Sequence, residues 1–338
     1  MNAIRQQFAD TMLSIGKDDP DLVVLVGDIS HGILQPFANA CPGRYFNVGI
    51  CEPTIVSMAA GLSKVGFHPV VHTIAPFIIE RSYEQIKLDF CYQRLGGNLV
   101  TVGAAFDYGN LGCTHHCYGD FALVKALPDT QITFPASIVE FDALFRQAYR
   151  NDFLTLFRIP GYEHDIQFNV VDIQFGSAIK VADGHNLTFI VTGPELSSAL
   201  AARDALRAFG WDIEVVYIHT IRPLDTEMII ASVQKTRRVL VIEEHMRSGG
   251  LGDDVIRATR GIPDIQYLSL SIPDQFVTGY GTWEDHCRDL GFTQEGIVEC
   301  VTTYCGSGND IEQPKWEAAV SYFHGQLPGL NVQEYGCR

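Results

Sequence analysis

The sequence predicts an α/β protein of two domains, each a mostly parallel sheet flanked by helices. Three observations carry this expectation. Short apolar runs alternate with longer amphipathic stretches, the pattern of strands joined by right-handed helical crossovers. The alternation stops after Arg158 at a polar, irregular stretch with Pro160 and Gly161, then resumes. Finally, 338 residues with 46% hydrophobic and 19% charged content are enough for two cores and exceed the usual single domain.

The first domain is expected over residues 1–160. MNAIRQQFADTML opens it as an amphipathic helix. DLVVLVGD, RYFNVG, HPVVHTI, NLVTVG, TQITF and LTLFRI read as buried strands, because a parallel sheet covered on both faces needs near-continuous apolar runs. PTIVSMAAGLSKVG, FIIERSYEQIKLDFCYQ, DFALVKALP and SIVEFDALFRQAYRN read as the helices between them. Ser137 and Glu140 have capping-box spacing at the start of the last. Residues 161–176 read as a linker. The second domain, 177–305, has LTFIVTG, DIEVVYI, RVLVIEE and IQYLSL as strands, with ELSSALAARDALRAFG and GLGDDVIRATRG as helices. Residues 306–338 form an extension. In it PKWEAAVSYFHGQL places Trp316, Val320 and Phe323 at helical spacing, as for a helix docked on this chain or a neighbour.

A formal net charge of −16 argues against nucleic acid and anionic membranes, both of which need a basic face. No apolar run approaches the roughly 20 residues that span a bilayer. The N-terminus lacks the apolar core of a signal peptide. Nine cysteines, irregularly spaced and without a CxxC pair, suit a reducing cytoplasm better than a disulfide framework.

Two loops carry candidate chemistry. In Leu111-Gly112-Cys113-Thr114-His115-His116-Cys117, two cysteines bracket adjacent histidines. A structural zinc site normally draws on two such clusters, and only one is present. Cysteines of no special role are a second reading. The third is an active-site loop, since the stretch follows the strand NLVTVG and ligands of open α/β sheets sit past the carboxyl ends of strands. Histidines there exchange protons near neutral pH. The other loop, NVGICEP, puts Glu52 at a helix entry with Pro53 behind it. Glu52 is either an ordinary acid complementing the helix dipole or a proton exchanger in uncharged surroundings. Desolvation and the dipole push its pKa in opposite directions, so the sign stays open.

These stretches carry a resemblance. RYFNVGICEPTIVSMAAGLSKVGFHPVVHTIAPF, ERSYEQIKLDF and GCTHHCYGDFALVKALPDTQITFPAS resemble the pyrimidine-binding domain of the transketolase family, deoxyxylulose-phosphate synthases included. IRPLD, VIEEHMRSGGLGDDV and PDQFVTGYGTWEDHCRDLGFTQEGIVECV resemble the carboxy-terminal domain of the same enzymes. The resemblance implies a thiamine diphosphate enzyme that moves a two-carbon ketol or related acyl unit between sugar-like substrates. It implies that Glu52 bonds N1′ of the aminopyrimidine and that Phe77 stacks on that ring. Asp28 lies near the cofactor, and His115, His116 and Arg158 face the substrate. His245 matches a structural position, and Arg81 one that pairs with a nearby acid. No Gly-Asp-Gly motif occurs in the chain. The resemblance therefore implies a separate subunit that carries this motif, holds the diphosphate and Mg2+, and completes an α2β2 heterotetramer; this chain supplies no metal ligand. A 2-oxo acid dehydrogenase beta subunit and a non-catalytic assembly or regulatory subunit with the same fold are the alternatives. The paired histidines weigh against the first, and intact Glu52 and His115 against the second.

The chain also departs from the family pattern. Leu111 stands where an aspartate contacts a donor hydroxyl, and Gly32 where a serine assists phosphate binding. The arginine expected near Gly161 is missing. A guanidinium clamp is poorly replaced by apolar groups, which points to a deoxy, modified or non-phosphorylated sugar, or a 2-oxo acid, as donor.

Overall fold

A computed structural model describes residues 3–305. The expected docking helix PKWEAAVSYFHGQL lies outside the described residues. The chain begins with α1 (Ala3–Asp18), β1 (Leu22–Val26), α2 (His31–Ala40), β2 (Tyr45–Asn47), α3 (Glu52–Lys64) and β3 (His68–Ile74). There follow α4 (Ala75–Ile79), α5 (Tyr83–Gln85), a π-helical turn over Ile86–Cys91, β4 (Gly97–Val102), α6 (Asp120–Lys125), β5 (Thr130–Thr133), α7 (Ile138–Ala148) and β6 (Leu154–Ile159). Every residue of β1, β4 and β6 is buried, as continuous apolar strands require. β2 departs from the expected burial. It pairs only with β1 at the edge of the sheet, and Phe46 is 39% exposed.

The expected helix FIIERSYEQIKLDFCYQ is broken at Glu80–Ser82. The Ser82 hydroxyl donates to the Phe77 carbonyl at 3.2 Å, a local side-chain bond that competes with regular helix. The expected capping box is also displaced by one residue. Ser137 Oγ accepts from Glu140 N at 3.3 Å, but the Glu140 carboxylate accepts from Ala136 N at 3.0 Å instead of reaching the cap's own N–H.

The second half runs β7 (Ile179–Ala182), β8 (Leu187–Val191), α8 (Leu196–Leu206), β9 (Ile213–Tyr217), β10 (Thr220–Arg222), α9 (Thr226–Thr236) and β11 (Arg238–Met246). It ends with α10 (Leu251–Thr259), β12 (Gln266–Ile272), α11 (Trp283–Leu290) and α12 (Gln294–Cys305). Its sheet has the order β12-β11-β8-β9-β7, parallel except for β7. The larger sheet has the order β10-β5-β6-β4-β3-β1-β2. Its outer strand β10 comes from the second half of the chain and runs antiparallel to β5.

The two halves therefore share a sheet, and they also share a core. Ile132, Phe134 and Leu156 pack in one cluster with Ile190, Val216, Ile218 and Ile221. The segment 161–176 is held down. His164 Nε2 lies 2.6 Å from Glu140 Oε1, the Tyr217 hydroxyl donates to Glu140 Oε2 at 2.8 Å, and Ile173 is fully buried.

Candidate active site

Four side chains meet beside the carboxyl ends of β3 and β4. Glu52 opens α3 and is only 2% exposed. Its Oε2 accepts from Arg81 Nη1 at 2.9 Å. Arg81 lies within the break after α4, and its side chain reaches back to α3. Its guanidinium carbon lies 4.2 Å from the centre of the Phe77 ring. Phe77 in turn meets the His115 ring edge-on at 5.4 Å. The unnamed acid expected beside Arg81 is thus Glu52. The pair neutralises a carboxylate that would otherwise stand buried and alone.

The loop that carries His115 is built for rigidity. Ala105 and Cys117 form an antiparallel bridge at its base. Asp107 Oδ2 accepts from Ala104 N and Gly161 N, each at 2.7 Å. Gly112 has φ +75°, and a Cβ there would lie 2.6 Å from the Tyr280 ring, so glycine satisfies both backbone and space. Thr114 Oγ1 lies 2.9 Å from His115 Nδ1 and orients that ring.

The adjacent histidines diverge. His115 is partly exposed and faces Phe77 and Tyr108. His116 turns inward, 3% exposed, toward Tyr118 and His286 of α11. The two rings cannot share one ion. The ring of His116, expected to face the substrate, is buried beneath the loop. Neither of its nitrogens has a hydrogen-bond partner among the described residues. Burial, with some repulsion from His286 and His115, lowers its pKa to about 4.

That shift has a measurable sign. Above pH 6.5 the ring is neutral in both folded and unfolded chains. As pH falls from 6.5 toward 4 the unfolded chain takes a proton that the folded ring refuses, so stability is lost across that window. His116→Leu leaves no orphaned partner. Between pH 6.5 and 5 it should lose about 1 kcal/mol less stability than the parent chain in denaturant titrations. Equal losses in the two proteins would refute the neutral, buried histidine.

Arg158, also expected to face the substrate, lies inside the protein. It is 0% exposed, pairs with Asp120 at 3.1 Å and donates to the Glu244 carbonyl at 2.9 Å. Its guanidinium lies between Phe121 and Phe134, 4.7 and 4.4 Å from the ring centres. It ties the two halves of the chain together. Asp28 stands apart from the four-residue group, exposed at the end of β1. It has φ 55°, and the Asn47 amide is bonded to its carboxylate at 3.2 Å. His245 is fully buried and stacked on Phe121 at 4.9 Å, a structural position.

Sequence reasoning missed the backing of the loop. His286 would lie 2.5 Å from a Cβ at Gly109, and Tyr280 packs on Gly112. The only signal was the run of glycines with which these residues interlock. A second missed network runs from Arg5 Nε to Ser30 Oγ at 2.8 Å, then to His72 Nε2 at 2.8 Å.

Residues 1–161 match the family model described as transketolase, pyrimidine binding domain, and residues 176–297 that described as transketolase, C-terminal domain. The chain belongs to the transketolase family. It is 30% identical over 313 residues to a subunit of apulose-4-phosphate transketolase from Phocaeicola vulgatus, covering 90% of this chain and 98% of that protein. It is 28% identical to 1-deoxy-D-xylulose-5-phosphate synthase of Syntrophotalea carbinolica, covering 88% of this chain but only 47% of the synthase. A solved structure described as "Split gene transketolase, inactive beta4 tetramer" superposes with a TM-score of 0.79 at 28% identity. The match covers 88% of this transketolase-family chain and 96% of that one. The chain is thus a homologue of split transketolase subunits and spans about half the length of the synthases. Among the described residues no helix is long and apolar enough to cross a membrane.

Proposed function

We propose that this chain is the pyrimidine-side subunit of a split, thiamine diphosphate-dependent transketolase-like enzyme. The observation that carries the reading is the arrangement of Glu52, Arg81 and Phe77. The Arg81 guanidinium is a flat, cationic N–H donor that lies on the Phe77 face and bonds Glu52. An aminopyrimidine ring offers the same combination, a flat face for Phe77 and a site for a hydrogen bond to Glu52, so the residues present fit it. When bound, the cofactor supplies a carbon nucleophile and an electron sink. The chain's own residues hold and orient. Glu52 holds and exchanges a proton at N1′, and Phe77 fixes the plane of the ring. His115 is partly exposed beside Phe77, and it bonds the donor's oxygen and moves a proton there.

The diphosphate and Mg2+ are assigned to a second polypeptide, because the match covers 98% of a relative that is itself named as a transketolase subunit. The Phocaeicola relative, itself named as one subunit of a transketolase, and the neighbour described as an inactive beta4 tetramer support dependence on a partner subunit; α2β2 is the assembly we assign to the pair. Leu111, 48% exposed in the loop, favours a sugar-like donor without the hydroxyl that an aspartate would contact. The test is reconstitution. The chain alone should show no ketol transfer. Together with a partner carrying the Gly-Asp-Gly motif it should show turnover, greatest with deoxy or non-phosphorylated donors. Turnover by the chain alone would refute partner dependence, and a strong preference for xylulose 5-phosphate would refute the donor assignment.

A further inference from the structure

Between the two halves lies a group of acids that the active site does not use. Glu195, Glu244 and Cys287 are 1%, 0% and 3% exposed. One ligating atom of each lies within 4.8 Å of those of the other two. They come from three separate elements: the turn after β8, strand β11 and helix α11. Their oxygens are poorly served. Among the described residues, and apart from an approach by its own backbone N–H, neither carboxyl oxygen of Glu195 has a hydrogen-bond partner, nor does Oε2 of Glu244. Glu244 Oε1 accepts the Trp283 indole N–H.

The backbone approaches Glu195 closely. Gly193 has φ +77°, and a Cβ there would lie 2.9 Å from Glu195 Oε2. Asp107 adds to the excess of acid. Its Oδ1 is buried without a partner, and its charge bears on both glutamates and on Cys287. The nearby cation, Arg158, is already paired with Asp120. One guanidinium thus faces four carboxyls and a thiol. Buried charges of one sign need a counter-cation or must stay protonated.

We propose that Glu195, Glu244 and Cys287 bind a zinc ion. The thiol decides the metal: a thiolate with two carboxylates suits Zn2+, whereas Mg2+ and Ca2+ take all-oxygen sets. Bond lengths of about 2.0–2.3 Å put tetrahedral ligand atoms roughly 3.5 Å apart, so the site closes with a tightening of about 1 Å. The fourth tetrahedral position is left to water. Binding releases the protons of the carboxyls and the thiol to solvent, and no electron moves. The ion would anchor α11, whose His286 backs the His115 loop. This site does not depend on thiamine chemistry.

The test uses the full chain, stripped with a chelator, loaded with ZnCl2 and desalted. About one Zn2+ per chain should remain, and Co2+ in its place should show thiolate-to-metal absorption in the near ultraviolet. Cys287→Ser should abolish that band, and Cys287→Ser and Glu195→Gln should each weaken Zn2+ binding by at least about tenfold. Cys113→Ser, altering an exposed thiol, should leave both unchanged. A parent chain that keeps no Zn2+, or a Cys287→Ser chain that binds it undiminished, overturns the site. If that variant fails to fold, the parent's zinc content and cobalt band decide alone: a chain with no Co2+ thiolate band refutes it.

Discussion

Glu52→Gln should lower kcat of the assembled enzyme by about 10²–10⁴-fold, the range expected when a positioned acid–base group is removed. Glu52 is 2% exposed, opens α3 and has one cationic neighbour, Arg81, at 2.9 Å. The amide keeps the shape and can still accept from Arg81, but it cannot exchange a proton with a bound ring nitrogen. Folding should be nearly unaffected, because Arg81 is 45% exposed and water can solvate it. Steady-state kinetics with the partner present, beside a melting curve, separate the two effects. Ordinary turnover by the Glu52→Gln enzyme would remove Glu52 from the chemistry.

Arg158→Met should destabilise the chain by about 3–5 kcal/mol, the cost of breaking a buried ion pair from one side. Both Arg158 and Asp120 are 0% exposed, so water cannot replace the lost partner. The same change removes the bond to the Glu244 carbonyl and the contacts with Phe121 and Phe134. Asp120 already has its pKa raised by burial despite Arg158, and without the arginine it must hold a proton. Pairing the change with Asp120→Asn should recover part of the loss, since the two sites are coupled. Urea unfolding of the four proteins measures this. A single-variant loss below about 1 kcal/mol would mean that Arg158 faces water after all.

The sequence made the central strands legible because both faces of LVVLV in β1 are covered, which leaves a continuous apolar run. The same kind of run misled at RYFNVG, where an edge position exposes Phe46. β10 was invisible: three residues, Thr220–Arg222, pair with a strand of the other half. Glu52 and His115 stood out because each lies in a loop after a strand. Arg158 was expected at the substrate only from the resemblance, and its buried pairing was not legible because its partner Asp120 lies far away in sequence. Arg81 was seen, but its acid was not, since the Ser82 bond that breaks the helix sets its direction.

β10 also makes the joint between the halves a poor place to cut. A fragment ending near residue 161 would present β5 as an open edge, with unpaired backbone groups ready to recruit a stranger's strand. The other fragment would carry a short ribbon with nothing to lie against. Each half is the other's guard against self-association, so the two are expected to be made, folded and degraded as one unit.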